Sequence, residues 1–71
     1  MEILNQVNVM LLHNDQNGCL AYIEQLPQIS AKGGTMAEAK DNLMSRLERY
    51  ENETYSSYTI VEYKIKSASF L

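Results

Sequence analysis

The stretch Ala21 to Tyr50, A-Y-I-E-Q-L-P-Q-I-S-A-K-G-G-T-M-A-E-A-K-D-N-L-M-S-R-L-E-R-Y, decides the fold. It reads as a strand, a tight connection, a short strand, a glycine turn and one capped helix. Thr35 and Glu38 have the spacing of a capping box. The Thr35 hydroxyl then accepts from the N–H of residue 38, and Glu38 reaches back to the N–H of residue 35. Gly33-Gly34, just before it, lets the backbone turn sharply from strand to helix. The spacing predicts a helix over residues 36–51. Met36, Ala39, Leu43, Leu47 and Tyr50 form one apolar stripe at intervals of three and four, which predicts a core-facing helix. Leu43 and Leu47 are expected opposite Val9 and Val61. Lys40, Asp41, Ser45, Glu48 and Arg49 cover the other side.

Upstream, Ile3, Val7, Val9 and Leu11 recur with period two, with Asn5 breaking the series, which predicts a strand over residues 2–13. His13 to Gly18 is a turn, and Asn17-Gly18 favours positive φ, so a hairpin follows. Cys19 to Glu24 is the return strand. Pro27 cannot donate to a ladder and marks a break or an edge position. Gln28 to Lys32 reads as a third strand. Downstream, Glu51 to Ser57 is a polar connection. Tyr58 to Lys66 alternates again, with Thr59, Val61, Tyr63 and Ile65 on one face and Tyr58, Ile60, Glu62, Lys64 and Lys66 on the other. The expected architecture is α+β, in the order β-β-β-α-β. It is a four-stranded mixed sheet with one helix on one face, and the last strand returns parallel to the first through a right-handed crossover.

Seventy-one residues suit one domain spanning 1–71. A chain of that size buries roughly 60% of its unfolded surface, so its core is marginal. One cysteine gives no internal disulfide, which points to a homo-oligomer. The net charge is −3, and the six Lys and Arg residues are interleaved with acids, which argues against direct nucleic-acid binding. No apolar stretch approaches the roughly 20 residues of a membrane span, and the N-terminus does not read as a signal peptide. The expected location is cytoplasmic.

Candidate chemistry is sparse, and no cofactor or metal is expected. His13 and Asp15 have the makings of a base and its orienter, and the nucleophile beside them would have to be Cys19, across the hairpin. Turn residues and a sheet-packed cysteine explain the same pattern. Glu2, Asp15, Glu24, Glu38 and Glu62 form no converging set of the kind metal-dependent cleavage requires. A face is the better candidate. If Val7, Val9, Leu11, Ala21, Ile23, Val61, Tyr63 and Ile65 point to the helix, alternation sends Met10, Leu12, Leu20, Tyr22 and Ile60 to the opposite side. Asn8, Glu24, Glu62, Lys64 and Lys66 would rim them, an apolar centre in a charged border that suits an oligomer or a partner.

Asn17-Gly18-Cys19-Leu20-Ala21-Tyr22, then Leu26-Pro27, then Gly34-Thr35 and Glu38-Ala39, resembles the HicB-like antitoxin family in order and spacing. Gln28 stands where the family has a glycine after the proline. The resemblance covers about residues 7 to 50. It implies a partial ribonuclease-H-like fold without catalysis, and a small HicA-type RNA-cleaving toxin as partner. Two alternatives stand beside it: a homo-oligomeric accessory protein with no toxin, and a ribonuclease-H-like RNA-processing enzyme. The last would need acids midway along strand one and inside the helix, where Val7, Val9, Leu43 and Leu47 stand. The capping box is directly testable. Thr35→Ala is expected to cost about 1 kcal/mol in urea melts. Loss of Glu38 should cost less, and the two losses should not add; full additivity would reject the box.

Overall fold

The computed structural model describes residues 5–14 and 18–67. Asn5–Asn14 forms β1, Gly18–Ile23 forms β2 and Leu26–Gly33 forms β3. Met36–Thr54 is the helix α1, and Tyr58–Ser67 is β4. The four strands make one mixed sheet in the order β3-β2-β1-β4. β1 pairs antiparallel with β2 and parallel with β4, and β2 pairs antiparallel with β3. The expected α+β architecture and strand order are therefore present. Residues 2–4 of the predicted first strand, and Asp15 to Asn17 of the predicted turn, lie outside the described residues.

Local chemistry explains each joint. Gly18 takes φ of +81°, which glycine supplies without strain, and the β1–β2 hairpin closes on it. Pro27 lies inside β3 rather than before it, and β3 is an edge strand, where a missing N–H is tolerated. The expected reason for Gly33-Gly34 changes. Neither glycine has positive φ. Gly33 is instead a close approach: a Cβ there would lie 2.8 Å from the carbonyl carbon of Glu38.

The helix cap forms with one change of partner. The Glu38 N–H donates to Thr35 Oγ1 at 3.1 Å. The Glu38 carboxylate reaches past Thr35 and accepts from the Gly34 N–H at 3.3 Å. At the other end α1 runs three residues beyond the expected stop at 51. No Gly or Pro interrupts Asn52-Glu53-Thr54, and Tyr55 closes the helix in the left-handed region at φ 53°. The Glu51 carboxylate accepts from the Tyr58 N–H at 2.7 Å, which ties the helix end to the start of β4.

The core forms where the helix meets the sheet. Val7, Val9, Leu11, Cys19, Ala21, Ile23, Ile29 and Ala31 from the strands bury against Ala39, Leu43 and Leu47. Met36 and Tyr50 flank it, as the stripe predicts. The helix leaves the end of β3 and lies mainly over β3 and β2, less over β1. It comes beside β4 near its beginning, where the Tyr50 and Tyr58 rings stand 5.9 Å apart.

β4 departs from the expected alternation. The pairing steps from Val7↔Ile60 to Asn8↔Glu62, so Val61 is an extra residue in a β-bulge. Before the bulge, Tyr58 and Ile60 pack on the helix-side core. Ile60 is therefore not on the far face. Val61 is 60% exposed and does not face Leu43 or Leu47. After the bulge, Tyr63 and Ile65 pair with Val9 and Leu11, on the helix side as expected, yet they remain 45% and 63% exposed. A strict period of two cannot run through an inserted residue.

This arrangement separates two apolar truncations. Leu43→Ala or Leu47→Ala is expected to lose about 2–5 kcal/mol in urea unfolding. Val61→Ala should stay within about 0.5 kcal/mol of the parent. Equal losses at Leu47 and Val61 would place the helix over the wrong strands.

Candidate partner-binding face

The face away from α1 is assembled by register. On β1, Val9 and Leu11 enter the core, so Asn8, Met10 and Leu12 point the other way. Pairing then sets two rows across the sheet. One runs Ser30, Tyr22, Met10, Lys64, and the next runs Lys32, Leu20, Leu12, Lys66. Asn8 and Glu62 start a third row, with Glu24 beyond Ile23. Of the five residues expected here, the structure brings Met10, Leu12, Leu20 and Tyr22 together and takes Ile60 away.

The centre of this face is well filled. Met10 is only 2% exposed and stands on an inner strand, between Tyr22 and Lys64 in the ladder. Leu12, Leu20 and Tyr22 are half-buried. Lys32 joins the border, a residue that required the β2–β3 register to be seen. The face is thus a smooth apolar strip between lysines, with carboxylates at one end.

That acidic end is ordered by hydrogen bonds. The Asn8 carbonyl accepts from the Glu24 N–H at 2.9 Å, and the Asn8 N–H donates to Gln25 Oε1 at 2.9 Å. The Asn8 side-chain amide donates to Glu24 Oε1 at 3.0 Å. Lys64 Nζ meets the same oxygen at 3.4 Å. The Asn8 hydrogen bond, opposed by desolvation and assisted by the Lys64 charge, holds the Glu24 carboxyl below its ordinary value.

The catalytic candidates are placed differently. His13 and Cys19 stand opposite each other in the β1–β2 ladder, so the hairpin does bring them together. They share an open depression with Gly34, Thr35 and Met36, and Cys19 itself is buried. Asp15 lies outside the described residues. Among the described residues, no three His, Cys, Asp or Glu side chains are grouped to hold a metal ion. Among the described residues, no helix is long and apolar enough to cross a membrane. A second shallow depression, between β3 and α1, is lined by Gln28, Ile29, Arg46, Arg49, Tyr50 and Glu53. Its two guanidinium groups are accompanied by a carboxylate.

No family model matches the chain, and comparison with curated proteins and with solved structures finds no significant match.

The Glu24 contacts give a pH prediction. A carboxyl held below its ordinary value contributes stability above the unfolded-state pKa, and this is lost as pH falls through the folded value. Asn8→Ala should raise the Glu24 titration towards its ordinary value in an NMR pH series, and Lys64→Met should raise it less. An Asn8→Ala titration that matches the parent would show that the amide does not hold the carboxylate in solution.

Proposed function

We propose that this chain is a protein-binding module without catalysis, acting as an antitoxin of the HicB-like kind on a small HicA-type RNA-cleaving toxin in the cytoplasm. The observation that carries the reading is the second face of the sheet. Leu12, Leu20 and Tyr22 lie half-buried around Met10, bordered by Lys32, Lys64 and Lys66 and by Glu24 and Glu62. An apolar centre with a charged rim is the common anatomy of a protein interface. The filled, hydrogen-bonded surface is pre-organised, so a partner pays little to order it. The net charge of −3 favours encounter with a basic protein, as an RNA-cleaving toxin would be. The order of Asn17-Gly18, Leu26-Pro27 and Gly34-Thr35 supports the family resemblance. Val7, Val9, Leu43 and Leu47 are all buried apolar residues, which supports a reading without ribonuclease-H chemistry.

The test is recovery of the native partner by pull-down and mass spectrometry, followed by an RNA-cleavage assay of that partner. The parent chain is expected to suppress cleavage. Leu12→Glu with Tyr22→Glu, folded by circular dichroism, is expected to lose capture and suppression. Recovery of no small RNA-cleaving protein, or full suppression by the double variant, would overturn the reading.

A further inference from the structure

The two edges of the sheet are built differently. β3 carries Pro27, which cannot donate, and its Lys32 carbonyl accepts from the Asn42 side-chain amide of α1 at 2.8 Å. Such devices blunt an edge against further pairing. β4 has no Pro, its bulge lies at Val61 before the outer half, and of the lysines in that half Lys64 is drawn inward to Glu24. It is ten residues long, contains no Gly, and pairs among the described residues only with β1. Tyr63 and Ile65 stand 45% and 63% exposed on it, on the helix side, where α1 has already moved away towards β3. Lys40 reaches across to the Tyr63 ring, with its ammonium 4.8 Å from the centroid, and leaves most of the strip open.

The sequence of that edge is self-complementary. In Glu62-Tyr63-Lys64-Ile65-Lys66, an acid precedes Lys64 by two and a base follows it by two, on one face. Tyr63 and Ile65 bracket it on the other. We propose that β4 pairs antiparallel with β4 of a second copy of this chain, about a twofold axis through Lys64. The two sheets then become one continuous sheet. Glu62 lies opposite the partner's Lys66 twice, and Tyr63 lies opposite the partner's Ile65 twice. Opposite charges and aromatic–aliphatic pairs directly across strands are the favourable cross-strand pairs. A twofold antiparallel pairing also closes, so it ends at a dimer.

Two further observations select this register. The axis places Lys64 opposite the partner's Lys64, a like pair. Each ammonium, however, leans inward over β1 to its own Glu24 Oε1 at 3.4 Å, away from the edge. An axis through Tyr63 would also match charges, Glu62 against the partner's Lys64. It would draw Ile60 and Val61 into the new ladder, where the bulge breaks the spacing. The Lys64-centred register uses only Glu62 to Lys66, all beyond the bulge. Parallel pairing in register sets like charges against like.

The test is a charge exchange read by sedimentation velocity on the full chain, with circular dichroism as the check of fold. The parent should sediment as a dimer. Glu62→Lys should weaken the dimer at least about tenfold, because two attractions become two repulsions, and Lys66→Glu should do the same. The combined variant Glu62→Lys/Lys66→Glu restores both pairs and should return to within about threefold of the parent. Leu12→Glu/Tyr22→Glu, which alters the other face of the sheet, should keep the dimer, so failure of the partner reading and of this one are told apart. A parent with the mass of one chain at about 100 μM, single variants that dimerise like the parent, or a combined variant as weak as the singles would each overturn the proposal.

Discussion

The backbone of Gly33 touches the first turn of α1, and the rest of the structure depends on that contact. No side chain fits between Gly33 and Glu38–Ala39, so the helix begins directly on the end of β3. Thr35 Oγ1 then accepts from the Glu38 N–H, a free donor of the first turn, and the Glu38 carboxylate accepts from the Gly34 N–H just before the cap, so the start of the helix is fixed where the apolar stripe meets the sheet. A helix started there lies over β3 and β2. Leu43 and Leu47 therefore bury in one core with Ala21, Ile23, Ile29 and Ala31 as well as Val9. The Asn42 bond to the Lys32 carbonyl holds the same side down. The cost is at the far edge, where one helix cannot cover four strands.

The far end of α1 returns part of that coverage. Glu51 takes the Tyr58 N–H, Tyr50 meets the Tyr58 ring, and Ile60 comes under the core. The bulge at Val61 follows at once. Its effect is to let both halves of β4 serve the helix side: Tyr58 and Ile60 before it, Tyr63 and Ile65 after it. The first pair is covered and the second is not. The same insertion sends Glu62, Lys64 and Lys66 together to the other face, where they border Met10 and Leu12.

The molecule thus offers two surfaces of different character. The face away from α1 is filled and rimmed by charge, with its acidic end held by Asn8. It suits a partner that recognises a finished surface. The β4 edge pairs only with β1 among the described residues and carries open apolar side chains, and it suits another strand. An apolar face and a strand edge can be used at once, since one buries side chains and the other backbone groups.

The sequence by itself determined the elements and the side of the helix that is buried. Thr35-x-x-Glu38, the 36-39-43-47-50 stripe and Asn17-Gly18 are local signals whose physics needs only neighbours a few residues apart. The parallel return of β4 to β1 followed from chain economy, since a helix crossover brings the strand back beside the longest strand. Met10, Leu12, Leu20 and Tyr22 were legible as one face because β1 and β2 alternate without interruption. Only the tertiary structure decided the rest. The bulge at Val61 has no Gly or other marker in the sequence, and it moved Ile60 into the core and Val61 out of it. The offset of α1 over β2 and β3 follows from backbone contact at Gly33. That offset decides which apolar residues of β4 are covered, Tyr58 and Ile60, and which stay open, Tyr63 and Ile65. Met10 stands between Tyr22 and Lys64, neighbours that only the long-range register of two other strands brings beside it, and no short window of sequence contains that register.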